Sequence, residues 1–379
     1  MTENTKPETV LHNSVGFDDI SDSELLDIDL DLCTASLTRS DSHVTCCSTA
    51  LSEDSKVSEM EGDSEDKFRK KRKQDKQSPL KRFNLRYLCV TDLCSQSWCE
   101  QQMVYGLEMP YLQQLEKAPE VEPGASIHLA KELEVHDIVS VSVKTREDAW
   151  AVKLLNLLSM ITVLQQGGRV RELPVFGVIE GIFLVGVIDE LHYSPKGELE
   201  LCELKTRSQP SVPGVAQKRS HHLQVSIYKL LFDSMVKGQL KQESLPQYLC
   251  LKTETALGSQ VLEHARKLGL NVSSFGDLLE LAFLNLRFSD IPAIDSLKIE
   301  YCYQANNSPL GEDIVHFDEQ QVTRELHFYS MYWIGEREAQ GVDIEDAWKC
   351  RYCDFADVCE WRMRRAGNTI WKQRTKRAK

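Results

Sequence analysis

The stretch "RVRELPVFGVIEGIFLVGVIDELHY" (169–193), continued by "GELELCELKTR" (197–207), decides the fold. Its short apolar runs, alternating in places and punctuated by Gly, predict successive β-strands, with "SPKG" (194–197) as a hairpin turn. Polar residues sit where core strands are expected to be apolar. Asp189 closes the apolar run "FLVGVID", and burying an unpaired carboxylate there is costly, so a metal or a charged partner is implied. On the next strand Glu203 and Lys205 are two apart and share a face, while Cys202 and Leu204 share the other. The turn sets Asp189 on the neighbouring strand, so two carboxylates and an ammonium can converge. That set suits Mg²⁺, one ion or two, which takes carboxylate oxygens and completes its shell with water and phosphate. Lys205 is then placed to orient or deprotonate an attacking water, or to stabilise a pentacovalent phosphate. The competing reading is a Glu–Lys salt bridge on an exposed hairpin, because a D…ExK pattern recurs by chance.

Helical periods flank these strands. In "TREDAWAVKLLNLLSMITVLQQGG" (145–168), Thr145 and Asp148 form a capping box and two glycines end the helix. "SQSWCEQQMVYGLE" (95–108) and "SHHLQVSIYKLLFDSMVKG" (220–238) predict two more helices. "QYLCLKT" (247–253) and "SLKIEYCYQ" (296–304) are further strand candidates. Strands flanked by helices give an α/β domain with a mixed central sheet. Gln224 and Tyr228 lie four apart on one helical face, within reach of the same scissile phosphate. His128, in "GASIHLAKELE" (124–134), falls just inside a predicted helix, where a neutral imidazole can complete a metal shell or simply pack.

Charge divides the chain. Its 379 residues carry a net charge of −13, yet residues 1–66 alone hold 17 acidic and 3 basic side chains, leaving the remainder near neutral. This acidic, aromatic-poor tail is expected to be disordered, since it has too little apolar surface to offset ordering entropy. Within it "FDDISDSELLDIDLD" (17–31) alternates acidic and apolar residues, as a segment folding onto a basic groove does, or as a solubilising tail does. Residues 67–82 then hold nine Lys or Arg and one Asp, a nuclear import signal, a nucleic-acid-binding arm or a solvated linker. The most apolar run, Leu154 to Leu164, is 11 residues long, short of the ~18 needed to span a membrane. With no signal peptide at its start, the chain is expected to be soluble and intracellular. In a reducing compartment its 12 cysteines are expected as metal ligands before disulfides.

Gly124 with His128, Glu172-Leu-Pro174, Gly186-Val-Ile-Asp189, Glu203-Leu-Lys205 and Gln224-Val-Ser-Ile-Tyr228 follow one another in this order. In that order they resemble the RecB-type branch of the PD-(D/E)XK nucleases, from about residue 85 to the end. Within it the chain is most similar to the exonuclease V family, eukaryotic single-strand-specific DNA exonucleases with an iron–sulfur cluster. Where the branch's general name suggests Pro-Asp, this chain has Gly-x-x-Asp, a form common in the RecB branch. The resemblance implies that His128, Asp189 and Glu203 are metal ligands, Lys205 the catalytic lysine, and Gln224 and Tyr228 positioning residues for DNA. It also implies phosphodiester hydrolysis by metal-activated water.

Cys350, Cys353 and Cys359 have the spacing C-x2-C-x5-C, compatible with zinc or with a 4Fe–4S cluster once a fourth thiolate is added. Candidates are Cys89, Cys94 and Cys99; Cys99 is preferred because it opens a predicted helix, whose N-terminus favours thiolate. The resemblance agrees, implying an iron–sulfur clasp with one cysteine before the nuclease core and three after it. An ordinary buried thiol is the alternative for Cys99. Joining positions 99 and 350 closes a loop of some 250 residues, so a structural role is expected over redox catalysis.

For DNA, Arg207, Lys218 and Arg219 flank the supposed site, "SQPSVPG" (208–214) can edge a channel, and Tyr228 can stack on unpaired bases. Arg362 to Lys379 carries eight Lys or Arg and no acid, for phosphate contact or nuclear import. The expectation is a monomeric, Mg²⁺-dependent exonuclease on single-stranded DNA, nuclear and also cytosolic, acting in DNA repair. The acidic tail is expected to bind a single-strand-binding protein. A structure-specific endonuclease of the same fold and a metal-stabilised DNA-binding protein are the rivals.

Overall fold

In the computed structural model, residues 77–112, 127, 128, 131 and 141–365 are described. The acidic segment 1–66, most of the basic run and Gly124 lie outside the described residues, as do residues 366–379.

After a helical turn at Pro79–Arg82 come β1 (Leu88–Cys89), α1 (Val90–Glu108) and α2 (Arg146–Gln165). Three strands follow, β2 (Val170–Ile179), β3 (Ile182–Tyr193) and β4 (Leu199–Arg207), then α3 (Val215–Val236) and α4 (Ser244–Leu249). The chain continues through α5 (Ser259–Lys267), α6 (Phe275–Arg287), β5 (Ser296–Tyr303), β6 (Ser308–Val315) and α7 (Glu319–Trp333). All six strands form one mixed sheet. β3 pairs antiparallel with β2 and β4 and parallel with β1, β4 pairs parallel with β5, and β5 antiparallel with β6.

Local chemistry sets these elements. Glu180 and Gly181 join β2 to β3 with φ of 51° and 74°, the pair of positive values of a type I′ turn, whose twist matches that of the strands. Ser194 to Gly197 turns β3 into β4, with Gly197 donating to the Ser194 carbonyl at 2.9 Å. Thr145 and Asp148 cap α2 reciprocally, as expected, and Ser274 with Asp277 does the same for α6. Helices cover both faces of β2: Phe176 meets Trp150 of α2 at 5.9 Å, while the adjacent Gly177 lets Leu231 of α3 approach the backbone.

"QYLCLKT" is not a strand: Gln247, Tyr248 and Leu249 end α4, and Cys250 caps it in the left-handed conformation. Leu245 and Leu249, four apart, are both buried, so the apolar spacing there is helical. The helix predicted over 95–108 begins earlier, at Val90, and breaks at Cys99 with φ −163° and ψ 106°, so that a second helical segment opens directly after Cys99, as expected.

Candidate active site

The sheet forks at β3. Its ladder to β4 runs from Tyr193/Leu199 to Glu190/Cys202, while its ladder to β1 covers Leu184 and Val185. Asp189 lies at the mouth of that fork, and its Oδ2 accepts the backbone N–H of Leu204 at 2.8 Å, a ladder position filled by a side chain. Across on β2, Glu172 sits between the pairs Arg171/Glu190 and Leu173/Ile188, with φ of +55°. A left-handed Glu within a strand is strained, and the cost is tolerated where a side chain must be aimed. Here ligand atoms of His128, Glu172 and Asp189 all lie within 4.8 Å of one another. His128 Nδ1 is 3.8 Å from Asp189 Oδ2. Glu172 stands in the family-like motif, but nothing in the sequence shows that it faces Asp189; only strand register does.

One strand away, Glu203 is 2 % exposed and Lys205 5 %, with Lys205 Nζ 3.2 Å from Glu203 Oε1. Gln224 on α3 donates through Nε2 to the same Glu203 oxygen at 3.0 Å and to the Tyr228 hydroxyl at 2.8 Å. Gln224 and Tyr228 therefore orient Glu203 from beneath. Tyr228 is fully buried, so it offers no face for a base to stack on, and that expectation is corrected. Its ring fills the space beside Gly186, where an added Cβ would come within 2.6 Å of it.

The basic residues named for DNA behave differently from one another. Arg207 Nε donates to the Ser211 carbonyl at 2.7 Å and shapes the 208–214 loop. Lys218 Nζ pairs with Asp313 Oδ1 on β6 at 2.8 Å. Arg219, on the first turns of α3, is exposed.

Cys99, Cys350, Cys353 and Cys359 line one cavity with Tyr105, Val342, Lys349 and Arg362. The break at Cys99 restarts α1, and its thiol accepts the backbone N–H groups of Gln102, three residues on, and of Val342. Burial pushes the Cys99 thiol up, with Cys350 and Cys359 adding to it and the two N–H groups opposing. Burial likewise raises Cys353 to about 11, opposed by the Phe355 N–H and reinforced by the other three thiols. Cys89 and Cys94, the other candidates, are buried in the hydrophobic core.

A family model described as "Exonuclease V - a 5' deoxyribonuclease" matches residues 78–200, 193–280 and 270–362. The chain belongs to the exonuclease V family. It is thus a DNA exonuclease. Exonuclease V of Danio rerio is 50% identical over 289 residues, covering 76% of this chain and 73% of that protein. The uncharacterized protein ORF95 of Ostreid herpesvirus 1 is 26% identical over 119 residues, 29% of this chain and 38% of its own. Among solved structures, one described as "Crystal structure of SSO0001" aligns with TM-score 0.35 and 16% identity over 73% of this chain and 86% of that one. The matched exonuclease V segments contain Asp189, Glu203, Gln224, Cys99, Cys350, Cys353 and Cys359.

Proposed function

We propose that this exonuclease V family member is a Mg²⁺-dependent, single-strand-specific exonuclease built on the PD-(D/E)XK plan. The observation that carries the reading is the meeting of His128, Glu172 and Asp189 at the sheet fork, with Glu203 and Lys205 on the adjoining strand. Carboxylates brought together at a mostly buried site repel one another, and a divalent cation relieves that repulsion, so the donor set fits Mg²⁺. His128, Glu172, Asp189 and Glu203 would hold it. When bound, it supplies a lowered pKa for water and neutralises charge on the phosphate.

The chain's own residues do the rest. The Leu204 N–H fixes the Asp189 carboxylate. Gln224, itself tied to Tyr228, fixes Glu203. Lys205, held beside Glu203, keeps a cation at the reacting phosphate, orienting the attacking water and offsetting developing negative charge. Burial of this lysine among carboxylates excludes bulk water from its ammonium.

The cysteine cavity supports a 4Fe–4S clasp. Four sulfurs on one zinc lie about 3.8 Å apart, the edge of a tetrahedron with ~2.3 Å bonds. Four thiols lining one cavity suit either centre by ligand type, and the family resemblance favours the cluster. Backbone N–H groups aimed at thiol sulfur, as from Gln102 and Val342, also suit thiolate ligands.

Entry from 5′ ends follows the family's description. Nuclear and cytosolic location and capture of a single-strand-binding protein by the acidic tail, both on sequence pattern, complete the proposal together with a monomeric state and a role in DNA repair. The test is digestion of end-labelled linear single strands with Mg²⁺ by anaerobically purified protein, beside Asp189→Ala. Short products from wild type, with a variant that binds without cutting, support the reading, and the label gives polarity. Cutting of circular single strands points to the endonuclease. Binding by both without cutting would overturn Mg²⁺ as the metal and Asp189 as its ligand.

A further inference from the structure

The three residues around Cys99 are each tied to the C-terminal segment by bonds that involve no thiol. Before it, the Trp98 carbonyl accepts from Lys349 Nζ at 3.1 Å, and the same ammonium bonds Asp346 Oδ2 at 3.0 Å and lies 4.3 Å from the Trp98 ring centroid. After it, Glu100 takes both Arg337 amino groups at 2.5 and 2.6 Å and the Gln340 N–H at 2.6 Å. Gln101 donates its backbone N–H to Gln340 and its side-chain amide to Ala339. Glu100 is 5 % exposed and Lys349 6 %, so both charges are desolvated and their partners are obligatory. Lys349 directly precedes Cys350, as Trp98 directly precedes Cys99.

A loop closed only by a metal group falls open without it; one closed by buried ion pairs does not. We propose that Lys349 and the Glu100–Arg337 pair are positioning residues that hold Cys99 against the C-terminal cysteines, so that the four thiols stand in ligand arrangement before any metal group is bound. Only the identity of that group rests on the iron–sulfur reading. Arg362, which also lines the cavity, opposes the burial that raises the Cys350 thiol.

Hydrogen exchange over residues 337–363 of the full chain tests this, on anaerobically loaded protein and on protein stripped by a chelator, alongside iron and zinc analysis. Stripped wild type is expected to keep its protection. Lys349→Met and Glu100→Gln are expected to exchange tenfold or more faster when stripped, and to load less metal. Lys349→Arg, which keeps a buried cation, is expected to restore both. Should Glu100→Gln fail to fold, the Lys349 pair decides alone. The proposal falls if stripping wild type alone releases the segment, or if both variants keep full protection and loading. Zinc in place of iron would overturn the cluster assignment and leave the comparison of stripped wild type with the variants still decisive for the clamp.

Discussion

The ring of Tyr228 occupies the space that a side chain on Gly186 would need. Gly186 belongs to β3, the strand that carries Asp189, and Tyr228 to the helix that carries Gln224, so one close contact sets the distance between sheet and helix at the site. Gly186→Ala puts a methyl 2.6 Å from Tyr228 and 2.9 Å from Val90. Overpacking of this kind costs ~1–3 kcal/mol, and the shift propagates to Gln224 and Glu203. A denaturant melt and a single-turnover digestion are expected to show both losses.

Tyr228→Phe keeps the ring and removes the hydroxyl that receives the Gln224 amide. One buried neutral hydrogen bond is worth about 1 kcal/mol. Because Gln224 then loses one of its two anchors, turnover is expected to fall roughly tenfold while DNA affinity holds, a split that measured kcat and KM report. A change confined to KM would return Tyr228 to a DNA-contact role.

Glu172 makes a contrasting prediction. Removing a carboxylate from a group of repelling ligands is expected to raise the melting temperature of metal-free protein, whereas loss of an ordinary structural residue lowers it. Glu172→Gln should at the same time bind Mn²⁺ at least about tenfold more weakly by paramagnetic resonance, forfeiting ~1.4 kcal/mol of metal-induced stabilisation. Glu172→Gly relieves the φ of +55° as well, so its metal-free form should be no less stable than Glu172→Gln.

How much of this was legible depended on whether a feature is periodic or depends on register. The hairpin strands announce themselves by apolar runs and turn residues, and the cap of α2 by Thr145 and Asp148, because each is a local pattern. "QYLCLKT" misled because a short apolar run has no period to separate strand from helix, and burial of Leu245 and Leu249 decided it. Glu172 acquires meaning only once β2 is registered against β3. The break at Cys99 is likewise invisible to helical periodicity, since it is enforced by contacts 240 residues away, such as Gln340 on Glu100. Tyr228 looked available for stacking until Gly186 was seen to give it a socket.

Asp313 on β6 tests the basic rim. Burial alone would raise its carboxyl, but hydrogen bonds from Lys218 and His222 outweigh burial and hold it below the usual range. A carboxyl lowered on folding adds stability that is present above its unfolded value near 3.9 and is lost as pH falls through the folded value. Asp313→Asn is therefore expected to cost about 1 kcal/mol at neutral pH, with partial exposure of both partners limiting the figure, and progressively less as pH falls through the folded value. The same change releases Lys218 from its 2.8 Å ion pair at the head of α3. If Lys218 then reaches a phosphate, single-strand affinity should rise at low salt, and the slope of log affinity against log salt should steepen by about 0.7. An unchanged slope would mean that the Lys218–Asp313 pair serves only to fasten α3 to the sheet edge, leaving Arg219 as the exposed cation of the three named for DNA.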